Sequence, residues 1–223
     1  MLPRYQSQIN ELQQMISKIL ERIVTASETT LNAFSNHDAD KFGEAVSALK
    51  GLEQEANAVD NEVIKTFALF GPEANELRLL VAYLKMTNEI VRIGDGVKKY
   101  AIRMKGHCQG ECILEPLETT IVQLHKSTLN ALKYISECFN HMGECDIDDF
   151  YRKVMVEESK NDDLFAIIEK DILAQIIKSS ELSSEYVRVL GTLRKLERSC
   201  DRSVNIANLM LYAQKGGEMH VYS

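Results

Sequence analysis

One pattern recurs on one length scale throughout this chain. Apolar residues return every three or four positions over segments of about 30 residues, which at 1.5 Å per residue is about 45 Å of helix. From Arg4 to Ser35 the pattern runs through Ile9, Leu12, Ile16, Ile19, Leu20, Ile23 and Leu31. After the polar turn Asn36-His37-Asp38 it resumes as far as Phe70 through Val46, Leu49, Val59, Val63 and Phe67. A third segment, Glu73 to Met104, carries Leu77, Leu80, Val81, Leu84, Ile90, Ile93 and Val97. Between the second and third, Gly71 suits a left-handed helix end and Pro72 the first turn of the next helix. Past two glycines between Lys105 and Pro116 come three more segments: Leu114 to His141, Asp148 to Lys178 and Val187 to Lys215. They are separated by Gly143-Glu144-Cys145-Asp146 and by a serine-rich break from Ser179 to Ser184, and Gly216-Gly217 ends the last. Long helices with short connections pack as antiparallel neighbours, so the expected fold is all-α.

The second half repeats the first. Arg92-Ile93-Gly94-Asp95 aligns with Arg198-Ser199-Cys200-Asp201 at a shift of 106 residues, which also places Leu84 on Leu190, Ile90 on Leu196 and Ala101 on Ala207. The expected architecture is two tandem three-helix bundles, residues 1–108 and 109–223, six long antiparallel helices produced by internal duplication.

Composition narrows the function. A chain with no tryptophan, 7% aromatic residues and three prolines suits helices. Its net charge of −7, with no clustered surplus of Lys and Arg, argues against a nucleic-acid partner. No apolar run approaches the roughly 20 residues of a membrane span, and Met1-Leu2-Pro3-Arg4 does not open a signal peptide. The expectation is a cytoplasmic protein, peripheral at most to a membrane. Five cysteines, at 108, 112, 138, 145 and 200, without C-x-x-C spacing suit free thiols in a reducing compartment. Neither His107-Cys108 with Cys112 nor Cys138, His141 and Cys145 matches the spacing of common structural zinc sites; a linker and a helix end that contain thiols account for both.

Two helices carry acids where leucine is expected. Taking Leu190 as zero and advancing 100° per residue, Leu193, Val204 and Leu211 fall within about 60° of it, and so do Glu197, Asp201 and Asn208. Counting likewise from Phe165, Glu158 lies at about +20° among Val154, Ile168, Ile172 and Ile176, with Asp162 at the stripe edge near +60°. A carboxylate facing a helix seam is costly unless it is paired, hydrogen-bonded or bound to a cation. Four such carboxylates make an oxygen-rich pocket suited to Mg, Mn or Fe. The competing reading is that they are solvated or paired with Arg194, Arg198 or Arg202.

No catalytic apparatus accompanies them. A carboxylate-bridged di-iron bundle needs Glu-x-x-His, yet the residues three before the histidines are Phe34, Met104, Val122, Cys138 and Gly217. No nucleophile elbow, phosphate-cradling glycine loop or H-E-x-x-H occurs. A non-enzyme is expected. A metal-free scaffold or oligomerisation bundle is the principal alternative and a di-metal carboxylate oxidase the third.

Leu196-Glu197-Arg198-x-x-Asp201-x-x-x-Asn205-Ile206-Ala207, with Tyr212 and Gly216-Gly217 downstream, resembles the repeat signature of the PhoU family. Glu76-Leu77-Arg78-Leu79-Leu80 and Arg92-Ile93-Gly94-Asp95 are similar to that family's first-half segments. The resemblance implies paired three-helix bundles whose E(D)-x-x-x-D motifs bind divalent or trivalent metal ions, Fe, Mn, Mg or Zn. It further implies a negative regulator of phosphate uptake and phosphate-starvation signalling, linking a phosphate ABC transporter to a sensor histidine kinase, with room for a homo-oligomer. By position it assigns metal to Glu158, Asp162, Glu197 and Asp201. The first half departs from the pattern: Val91 stands at the counterpart of Glu197, leaving Asp95 with only Glu89 nearby, and the second-helix positions fall on Leu49 and Glu53. Asp95, Glu89 and Glu53 are therefore the remaining candidates there. Metal is expected in the second bundle rather than the first, which is left as a protein-docking surface.

Overall fold

A computed structural model describes residues 3–110 and 114–217. Its helices are α1 (Pro3–Ser35), α2 (Ala39–Ala48), α3 (Leu52–Phe70), α4 (Ala74–Cys108), α5 (Glu118–Asn140), α6 (Ile147–Lys178) and α7 (Ser183–Lys215). Single 3₁₀ turns, Glu115–Leu117 and Ser180–Leu182, lead into α5 and α7. No strand occurs among the described residues. The layout is the doubled all-α one that periodicity indicates.

One expected helix is broken. The segment read as continuous from Asp38 to Phe70 is α2 and α3, separated at residues 49–51, where Gly51 takes a left-handed φ of +79°. Carbonyls released by the break need donors. Arg22 of α1 supplies them, its Nε and Nη2 reaching the Ala48 carbonyl at 3.1 and 2.7 Å and Nη2 the Lys50 carbonyl at 2.8 Å. The apolar phase is undisturbed across the break, with Leu49, Leu52, Ala56, Val59 and Val63 all buried, so periodicity alone passes over it. Other boundaries follow local chemistry: Asp38 and Asp146 accept from the first free amides of α2 and α6, and left-handed Gly71 ends α3.

Two apolar cores form, and each draws on both halves. Ile16, Ile23, Val59 and Ile93 of the first half share one with Leu132, Phe139 and Leu209 of the second. Phe34 and Tyr100 share the other with Leu124, Ile168 and Leu193. The principal joint is between α4 and α7, the most extensive helix pairing in the fold. It is close because Gly96 has no side chain: a Cβ there would lie 2.7 Å from Ser199 Oγ and 3.5 Å from the Lys195 carbonyl. Two residues away, a Cβ on Gly94 would sit 2.9 Å from Leu52 Cδ1, so α4 is pressed against α3 as well. Leu77, which continues the apolar spacing of α4, is 42% exposed at the start of that helix.

The free-thiol expectation is corrected for one pair. Cys138 and Cys145 form a disulfide across the α5–α6 turn, with Cα atoms 5.3 Å apart. Cys108 and Cys200 are free, and Cys112 lies outside the described residues. An odd total and the absence of C-x-x-C do not detect a pair that a tight turn brings together.

His125 of α5 is fully buried between the cores, its Nε2 3.1 Å from Ser27 Oγ and its ring edge-on to Tyr100 at 5.0 Å. Burial pushes its pKa down to about 3. The unfolded imidazole, near 6.5, takes up a proton that the folded one refuses, so this group's contribution is intact above about 6.5 and declines as pH falls towards 3. Between pH 7 and pH 5 the wild type should lose roughly 2 kcal/mol more unfolding free energy than His125→Gln. Urea titrations at the two pH values measure this; equal losses would show that the imidazole is protonated in place.

Candidate metal centre

The acid-bearing faces of α6 and α7 meet across one groove. Glu158, Asp162 and Asp201 each offer a carboxylate oxygen, and the three lie within 4.8 Å of one another. Glu158 is half-buried and Asp162 exposed. A cleft of about 520 Å³ opens beside them, lined by Glu158, Asp201, Arg198, Arg202, Tyr151 and Met155 among others. Glu197, one turn before Asp201, is partly buried, and its Oε2 is enclosed without a hydrogen-bond donor among the described residues.

All four carboxyls are pushed above the ordinary range. For Glu158 the cause is burial, then Asp162 and Asp201; for Asp162, burial and then Asp163. For Glu197 it is burial, then Asp201; for Asp201, burial, then Asp162. Crowded, partly desolvated acids favour either a proton or a cation between them.

The arginines that could neutralise them are largely engaged elsewhere. Arg194 reaches Glu169 at 3.6 Å and lies over the Phe165 ring. Arg202 donates to Glu89 at 2.8 Å. Charge alone still opposes the rise, from Arg194 and then Arg198 at Glu197 and from Arg202 and then Arg198 at Asp201, with no ion pair to either acid. Among the described residues no ion pair reaches Glu158, Asp162, Glu197 or Asp201. An all-oxygen donor set with a deficit of positive charge fits a hard cation such as Mg, Mn or Fe better than Zn. The neighbouring Cys200 adds no thiolate, since burial and then Asp201 push its thiol pKa well up.

The first-half candidates separate. Glu53 and Asp95 line a smaller cleft of about 190 Å³ between α3 and α4, but Lys98 lines it too and Asp95 already sits 3.6 Å from Lys99. Val91 forms part of the wall where the second half has Glu197, and Leu49 is buried at the break after α2. Glu89 joins neither cleft. It is 8% exposed and committed to Arg202, an ion pair that ties the two halves together.

Residues behind the acids hold them in place, and the stripe count overlooked them. Glu157 is more deeply buried than Glu158 and accepts from Asn130 Nδ2 at 3.1 Å. Asn161 is fully buried, its Nδ2 within 3.0 Å of the Leu124 carbonyl, 2.7 Å of Ser127 Oγ and 2.9 Å of Thr128 Oγ1. Both belong to the arc of α6 that faces α5. Fixing that arc fixes the rotation of α6, so Glu158 and Asp162 are presented to α7. Their i, i+4 spacing is the signal available in the sequence, and a single apolar stripe does not capture it because a helix flanked on two sides buries more than one arc.

Comparisons with known proteins bear on the fold and the family. The family model for the PhoU domain matches twice, over residues 12–104 and 121–210. The Phosphate-specific transport system accessory protein PhoU of Escherichia coli K12 is 26% identical over 187 residues, 83% of this chain and 75% of the relative. The homolog in Streptococcus pneumoniae is 21% identical over 221 residues, 96% of each chain. Among solved structures, PhoU from Pseudomonas aeruginosa superposes with a TM-score of 0.87 at 19% identity, covering 96% of this chain and all of that one. The phosphate transport system regulatory protein PhoU from Streptococcus pneumoniae superposes at 0.80 and 18% identity, covering 98% of this chain and all of that one. With the PhoU domain matched across most of its length in two copies, this chain belongs to the PhoU family.

Proposed function

We propose that this protein is a cytoplasmic, non-enzymatic accessory regulator of phosphate-specific transport, acting by protein contact and tuned by a metal ion. The observation that carries the reading is the double PhoU domain, whose curated relatives are named as accessory proteins of the phosphate-specific transport system. No described helix is long and apolar enough to cross a membrane, which fits an accessory rather than a transporting subunit. Its partners in this reading are a phosphate ABC transporter and a sensor histidine kinase, and its action is to repress uptake and starvation signalling when phosphate is plentiful. Deleting the gene should raise a phosphate-starvation reporter in phosphate-rich medium; an unchanged reporter would count against the proposal.

The acid cluster gives the regulator an adjustable surface. Glu158 and Asp162 of α6 with Asp201 of α7 would hold Mg, Mn or Fe, Glu197 supplying its unpartnered oxygen from one turn away. A cation there would relieve repulsion among carboxylates and join two helices that otherwise repel along this edge. Protein stripped of metal should gain thermal stability on addition of Mn²⁺, by about 2.7 kcal/mol at a hundredfold excess over Kd. Asp162→Asn/Asp201→Asn should abolish that gain. The same variant should leave the metal-free protein as stable as wild type or more stable, by roughly 0.5 kcal/mol, because like charges one turn apart disfavour the helix. A metal-free scaffold predicts no Mn²⁺ response in either protein.

Proton competition has a definite sign. The four raised carboxyls bind protons more readily when folded, so in the absence of metal they add stability as pH falls through their raised values. Metal must displace those protons. Mn²⁺ affinity should therefore drop on going from pH 7 to pH 5, and isothermal titration at the two values reads it. An affinity independent of pH would remove these carboxylates from the site.

A further inference from the structure

The turn between α5 and α6 holds a second group of ligand-type residues that the acid cluster does not use. Cys138 lies in the last turn of α5, and His141 follows it by three residues at the helix end. Beyond His141 the backbone does not unwind freely. The amides of Glu144 and Cys145 both donate to the His141 carbonyl, at 2.8 and 2.9 Å. The bond from Cys145 closes a tight turn past His141, which itself lies outside the helical region at φ −121° and ψ 38°, and the turn carries Cys145 back to Cys138 with His141 between them in sequence. All three line the same cleft of about 330 Å³, together with Glu137, Glu144, Asp146 and Asp149.

As joined in the disulfide, neither sulfur offers a thiolate. Once they are separated, two thiolates whose Cα atoms are 5.3 Å apart and one neutral imidazole make a three-ligand set for a soft or borderline ion, with water or Glu144 completing a tetrahedron. Asp149 is already occupied by Lys153 at 2.7 Å. We propose that Cys138, His141 and Cys145 form a zinc site that exists only when the Cys138–Cys145 disulfide is reduced, so that the α5–α6 turn is held either by a covalent link or by a metal.

The exchange balances with a dithiol reductant. Its thiolate attacks the sulfur of Cys145, the less buried of the two, and the Cys138 sulfur leaves with the bonding pair and takes a proton. The second thiol of the reductant, as thiolate, then displaces Cys145. The reductant ends as a disulfide, having given two electrons, and Cys138 and Cys145 end as thiols. Zinc binding then releases the two thiol protons to solvent. This turn lies in neither acid pair, and its donor set selects the opposite class of ion.

Cobalt serves as a spectroscopic substitute for zinc, because thiolate ligation gives a charge-transfer absorption that carboxylates do not. The full-length protein, reduced with a phosphine and exchanged into metal-free buffer, should take up one Co²⁺ with that absorption and lose it to one equivalent of Zn²⁺. The oxidised protein should show none. Cys138→Ser and Cys145→Ser should lose the absorption, Asp162→Asn/Asp201→Asn should retain it, and His141→Ala should bind more weakly. Circular dichroism confirms that each variant remains helical. Reduced wild type without thiolate absorption, or retention of it in both serine variants, would overturn the proposal, and an unweakened His141→Ala would remove the imidazole from the site.

Discussion

The fold turns on the contact between α4 and α7. Each is the last helix of its half. Packing them together closes both halves at once, and it is possible at this distance because Gly96 presents bare backbone to Ser199. The two cores then extend across the joint. The exposed edges of that joint are where charge collects: the acid cluster and its arginines on the α6 side, Asp95 with its lysines on the α3 side.

Duplication supplied two copies of the same groove, and their sequences have diverged in charge. In the second half the groove keeps acids on both walls and has surrendered two nearby arginines to other partners. In the first, an apolar Val91 replaces one acid, and Lys98 and Lys99 stand close to Asp95. The same helical layout thus gives one groove short of positive charge and another close to neutral. The two grooves therefore differ in local charge balance more than in helical layout.

Much of this was legible from residue spacing. The first-helix positions Ile9, Leu12, Ile16, Ile19, Leu20, Ile23 and Leu31 are all buried, and Glu158, Asp162 and Asp201 do converge. Family membership was legible as a resemblance, carried by Leu196-Glu197-Arg198-x-x-Asp201 and Arg92-Ile93-Gly94-Asp95. What escaped has physical reasons. Gly51 breaks a helix without shifting its apolar phase. Glu157 and Asn161 serve an arc that a one-stripe count assigns to solvent. The Cys138–Cys145 bond depends on a turn whose shape is set by the His141 carbonyl. Glu89 was placed near Asp95 by proximity in sequence, whereas its partner lies 113 residues away.

That last pairing links the halves electrically. Arg202 borders the acid cleft of the second half while its guanidinium is held by Glu89 of the first. A cation seated beside Glu158 and Asp201 would raise the potential at Arg202 and drive its side chain harder towards Glu89. Occupancy on one side of the molecule would thereby be felt on the other through a single pair of charges, with no helix required to move.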